Sequence, residues 1–125
     1  MHSSTQYDCG IVAVPFAEGS ADDFARKVAA ETAGNGCAFA LLFHSLSAFP
    51  TDALAIAMRK HAPGLAHAGC TTAGELLPSG ISDGEALALL LPGDRFTVVA
   101  AMIERIRSTG MDDIAATVER LKREL

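Results

Sequence analysis

The chain has 125 residues, half of them hydrophobic and a fifth charged, with a mean hydropathy of +0.27, which suits one folded domain and excludes a disordered or collagen-like chain. Ten Lys and Arg against fifteen Asp and Glu leave a net charge of −5, which argues against a partner held through a phosphate backbone, so no nucleic acid is expected. The opening MHSSTQYD is polar and carries Asp8 where an export signal needs a basic start and an apolar stretch, and the longest apolar runs fall far short of the ~20 residues that span a bilayer, so a cytoplasmic protein with no membrane contact is expected.

In chain order, CGIVAV from Cys9 to Val14 reads as a first strand bounded by Pro15. Ser20 with Asp23 has the form of a capping box, and Phe24, Val28 and Thr32 recur at four-residue spacing before Gly34-Asn35-Gly36 ends the helix. Cys37 to Phe43 is a continuous apolar run, the pattern of a parallel strand buried on both faces, and it ends in His44-Ser45. Pro50, Thr51 and Asp52 start a second helix, apolar nearly all round and expected to be well buried, which Pro63-Gly64 stops. Leu65 to Cys70 is a third strand, and Thr71 to Asp83 reads as a loop. Strand, helix, strand, helix, strand with short connections predicts parallel strands joined by right-handed crossovers.

Glu85 to Leu91 is the next strand, Pro92-Gly93-Asp94 supplies turn chemistry, and Phe96 to Ile103 is β-branched enough to return as its antiparallel neighbour. From Met111, the residues Ile114, Val118, Leu121 and Leu125 form one helical stripe, with Asp112 and Asp113 at the start and Arg120, Lys122 and Arg123 near the end, as the helix dipole prefers. No repeat, low-complexity tract or linker divides the chain. The expected fold is therefore α/β, a single domain over residues 1–125, with a mixed sheet of about five strands and three flanking helices in the order βαβαβββα.

Ligands of open parallel sheets bind beyond the carboxyl ends of the strands, where loops and helix N-termini converge. Two polar segments fall there: His44 and Ser45 leave the second strand, and Cys70, Thr71, Thr72, Ala73, Gly74 and Glu75 leave the third. Each has a bland alternative. Cys70 as a strand-end cysteine is more often a small buried hydrophobe than a nucleophile, and Thr71 and Thr72 suit turn backbone. Gly74 suits a positive φ, Glu75 a cap on backbone N–H groups, and His44 a hydrogen-bonded strand end. His67 lies at odd offset from Cys70, on the opposite sheet face, and His61 suits a helix C-terminus. No metal-ligand spacing, Walker loop, G-x-G-x-x-G or G-x-S-x-G is present. The three cysteines form no CxxC pair and are expected to be reduced thiols.

GCTTAGE from Gly69 to Glu75, followed by Gly80, resembles the signature of the FIST sensory domain, named for F-box and intracellular signal transduction proteins. The layout from about Gly10 to Leu125 agrees with the N-terminal part of that domain, whose members usually continue well beyond this length. The resemblance implies an intracellular module that binds a small ligand, an amino acid or related metabolite, and passes its state to an output protein in trans, such as a histidine kinase or cyclase. Some members resemble haem-based sensors, which makes haem the one cofactor to consider. It implies no catalysis, and it carries over to Cys70, Thr71, Thr72, Gly74, Glu75 and Gly80; His44 and Ser45 are added by their place at the strand end. Two rival readings are a thiol enzyme using Cys70 as nucleophile with His44 as base, and an interaction module working as a ligand-free dimer. With an open sheet edge and the stripe of the last helix to cover, a homodimer is expected.

Overall fold

A computed structural model of the chain describes residues 3–34, 36–73, 75–77, 80–82 and 84–125, with the backbone alone for 75–77 and 80–82. Among these residues the chain forms β1 (Thr5–Gln6), β2 (Val12–Phe16), α1 (Ala21–Thr32), β3 (Cys37–Ser45), α2 (Thr51–His61), β4 (His67–Thr72), β5 (Glu75–Leu77), β6 (Gly80–Ser82), β7 (Ala86–Pro92) and α3 (Met111–Glu124). Five strands make one mixed sheet in the order β1-β2-β7-β3-β4, and β5 and β6 form a separate antiparallel hairpin. This is the expected single α/β domain with a five-stranded mixed sheet and three helices.

The expected capping box opens α1: the Ser20 hydroxyl accepts from the Asp23 N–H at 3.1 Å, and the Asp23 carboxylate accepts from the Ser20 N–H at 2.9 Å. Phe24, Ala25 and Val28 of α1 are buried against the sheet together with Leu54, Ala57 and Met58 of α2. Strand residues that alternate onto this face complete the core: Val12, Val14 and Phe16, Ala40 and Leu42, and Ala86, Ala88 and Leu90. Phe24 lies between two other rings, with centroids 5.4 Å from Phe16 and 5.8 Å from Phe49. Burying side chains of this size contributes roughly 1.5–3 kcal/mol each, so this layer holds the fold. On the second face Ala13 and Leu87 pack with the partly buried Leu89, and Pro15 and Phe39 are buried as well.

β2, β3 and β4 run parallel as expected, and β3 and β4 are direct neighbours in register from Ala40 opposite His67 to Ser45 opposite Thr72. β2 and β3 are not adjacent, however, because β7 lies between them and is antiparallel to both. That insertion corrects the expected hairpin. Both sides of β7 are occupied, so Phe96 to Ile103 has no place beside it and is irregular, with none of its residues buried.

Smaller corrections follow from the same contacts. The first strand runs through Pro15 instead of stopping there. β1 pairs only with Ala13 and Val12, leaving the edge at Pro15 open, where a missing N–H is tolerated. The third strand is His67–Thr72, and the segment expected as a loop contains its end and the β5–β6 hairpin. α2 buries one face and leaves Ile56 60% exposed, so it is less enclosed than its composition suggests. No residue of α3 is buried. No described helix is long and apolar enough to cross a membrane.

Candidate functional site

A pocket of about 120 Å³ lies over β3 and β4 beside the first turns of α2, lined by Leu42, His44, Thr51, Leu54, Ala55, His67, Gly69 and Cys70. The parallel pairing of β3 with β4 creates its floor, because Leu42 and His44 alternate to the helix side and stand in register with Gly69 and Thr71. Gly69 and the small Ala55 leave the space unfilled. Two of the expected site residues, His44 and Cys70, line it.

His44 is 2% exposed, its ring stacked on Phe49 with centroids 5.0 Å apart. Its Nδ1 is 3.3 Å from the Ser45 carbonyl, which can only accept, so Nδ1 carries the proton in the neutral ring. Nε2 then accepts from the Thr51 hydroxyl at 3.4 Å. The hydroxyl oxygen keeps lone pairs for an incoming donor. Thr51 begins α2, whose N-cap, Pro50, makes no side-chain cap, while within the first turn the Ala53 N–H donates to the Asp52 carboxylate at 2.8 Å. The positive end of the helix dipole thus lies at the pocket wall. Sequence reasoning used Thr51 only as a helix start; its position one turn beyond His44-Ser45, at the N-terminus of the following helix, was the available signal.

Ser45 is buried and organises the turn that carries the chain from β3 to α2. Its hydroxyl is 2.7 Å from that of Ser47 and accepts from the Ser47 N–H at 3.2 Å, while its carbonyl accepts from the Ala48 N–H at 3.0 Å. The Ser45 N–H donates to the Glu85 carbonyl at 3.0 Å, fixing the end of β3 to the entry of β7. Ser45 does not line the pocket.

Cys70 is exposed, contrary to the buried hydrophobe expected of a strand-end cysteine, because β4 is the last strand of the sheet and among the described residues pairs with β3 alone. It stands opposite Phe43, whereas His44 stands opposite Thr71, so the Cys70 and His44 side chains alternate toward opposite faces. That register is unfavourable for a thiol–imidazole pair. Thr71 is exposed and Thr72 half-buried. Glu75 and Gly80 begin the two hairpin strands, where the backbone alone is described, and Gly74 lies outside the described residues.

Among the described residues no three His, Cys, Asp or Glu side chains converge as a metal site. Haem does not fit the pocket. Drug-sized ligands already need roughly 300–1,000 Å³, and the buried His44 imidazole is turned to Ser45 and Thr51. The space suits a molecule of a few non-hydrogen atoms.

The family model of the FIST N domain matches residues 38–125, well over half of the chain, from β3 through α3. No curated protein and no solved structure matches the chain.

Proposed function

The chain belongs to the FIST N domain family, and on that premise we propose that it is an intracellular sensory module that binds a small amino acid or related metabolite. The ligand occupies the pocket over β3 and β4, which runs from His67 at the start of β4 to His44 near the carboxyl end of β3. The observation that carries this reading is the pocket itself, with the buried His44 and the exposed Thr51 meeting at the α2 N-terminus. A carboxylate there is favoured by the helix dipole, although the Ala53 N–H of the first turn already serves the Asp52 carboxylate, and an ammonium group finds the Thr51 hydroxyl oxygen. Leu42 and Leu54 supply the apolar wall. Thr71, Thr72 and the backbone after them close the same strand end, and the segment from Thr71 to the β5–β6 hairpin is the element whose position ligand binding shifts. The module binds without turnover and signals to an output protein in trans, such as a histidine kinase or cyclase. Its working unit is a homodimer, a reading supported by α3, an amphipathic helix that buries no residue in the single chain.

The test is a thermal-shift screen with glycine, alanine, serine and other small amino acids, followed by recovery of each compound. A ligand at 100 times its Kd adds about 2.7 kcal/mol to folding stability, which a melt resolves, and it is recovered unchanged. Thr51→Val preserves shape and removes the hydroxyl, so it weakens binding roughly tenfold, the worth of one hydrogen bond. Binding that survives this substitution unchanged, or no stabilisation by any small amino acid, overturns the assignment of the pocket.

A further inference from the structure

β4 ends the sheet, and among the described residues it pairs with β3 alone. The Ala40 N–H donates to the Ala66 carbonyl at 3.0 Å while Ala40 stands opposite His67. In a parallel ladder that arrangement turns the peptide groups of Ala66, Ala68, Cys70 and Thr72 toward β3, and those of His67, Gly69 and Thr71 outward. Five of the six β4 residues are exposed, and Ala68 and Gly69 leave the backbone open to close approach. The edge lacks the usual protection of a charge, a proline or a covering helix.

The same chain contains a strand-forming segment with no ladder. Residues 96–103, FTVVAAMI, are rich in β-branched side chains, lie outside every described strand and include Met102 at 83% exposure. Among the described residues they pair with no strand of their own sheet. The Phe96 N–H donates to the Pro92 carbonyl at 3.0 Å, so the segment begins at the end of β7, and Arg95 donates to the Asp8 carbonyl at 2.7 Å on the β2 side. A strand beside β4 lies three strand spacings from β7, roughly 14 Å. The nearer edge, that of β2, is covered by β1 at Val12 and Ala13 and beyond them carries Pro15, which has no N–H to offer.

We propose that residues 96–103 of one copy add a strand to the open β4 edge of a second copy, reciprocally about a two-fold axis. The proposal rests on the homodimer reading above and names its contact. Backbone hydrogen bonds from the outward groups of His67, Gly69 and Thr71 hold the added strand, with no requirement on the reach of one chain. α3 follows the segment and is carried onto the partner with it, which gives its apolar stripe a surface to cover.

Sedimentation of the full chain tests this. Val98→Pro with Val99→Pro blocks both alternations of the added strand and lies outside the sheet of the single chain, so its far-UV spectrum stays that of a folded protein. His67→Pro with Thr71→Pro removes outward N–H groups while keeping those that face β3. Each double variant is expected to weaken self-association roughly tenfold or more. An equimolar mixture regains a dimer, because one copy supplies an intact edge and the other an intact segment. A dimer that persists in Val98→Pro with Val99→Pro overturns the strand exchange and leaves the homodimer standing. A wild-type monomer throughout the micromolar range overturns both.

Discussion

At Gly69 the structure has no room for a side chain: a Cβ there would lie inside the contact distance of the Leu42 carbonyl oxygen and 3.0 Å from the Leu42 Cβ. The obstacle is backbone of the neighbouring strand, which cannot swing aside. Gly69→Ala is therefore expected to force β4 away from β3 at a cost of roughly 1–3 kcal/mol, the usual range for overpacking, read as a lowered urea midpoint with an unchanged slope. The same substitution narrows the pocket, so any ligand found by thermal shift should bind Gly69→Ala more weakly. Gly69 is the first residue of GCTTAGE and legible as a motif position. Its reason for being glycine is not local, since it depends on which strand lies alongside. His44 and Thr51 show the same division: the strand end and the helix start are visible in the sequence, but their 3.4 Å contact follows only from the Ser45 turn that folds one onto the other.

The two buried-face helices are joined by polar contacts as well as by their core. Asp22 of α1 bonds Arg26 of the same helix at 2.6 Å and His61 at the end of α2 at 2.7 Å. The Arg26 guanidinium, followed by His61, holds the Asp22 carboxyl at about 2, below its ordinary 3.8. A carboxyl depressed in the folded state contributes stability above its unfolded value and loses it as pH falls from 3.8 through about 2. Thermal melts from pH 5 down to pH 2 are expected to fall more steeply for the wild type than for Asp22→Asn. At the start of α1, Ser20→Ala removes the capping hydroxyl and should cost about 0.5–2 kcal/mol of stability in a urea melt. The capping box was readable because its two residues lie three apart in the chain. The Asp22–His61 bond was not, because it spans 39 positions.

Across the whole molecule, burial is lopsided. Both helices that pack on the sheet do so on one face, while on the other Leu41, Phe43 and Leu89 are only half-buried and α3 buries nothing. The stripe of Ile114, Val118, Leu121 and Leu125 therefore contributes little to the stability of a single chain. Val118→Asp with Leu121→Asp should leave the monomer's unfolding free energy in urea within about 0.5 kcal/mol of wild type, as expected of surface changes, while lowering the dimer fraction in sedimentation. A large loss of monomer stability instead would mean that the helix docks on its own sheet.

By itself the sequence determined what short-range physics controls. Capping and dipole chemistry set where α1 and α3 begin, Pro63-Gly64 ends α2 soon after His61, and a continuous apolar run marks β3 as an inner strand. It also predicted that β3 and β4 run parallel, with their polar ends together if the two strands were neighbours, and the structure makes them so. Only the tertiary structure decided where β7 goes. The pattern of Ala86–Pro92 says that this is a strand, and turn chemistry at 92–94 suggests a hairpin, but strand partners are chosen by competition among all strands of the sheet. β2 and β3 both present apolar faces and complementary edges, and β7 between them satisfies two ladders at once. That choice left Phe96 to Ile103 without a strand partner among the described residues, while β4 ends the sheet.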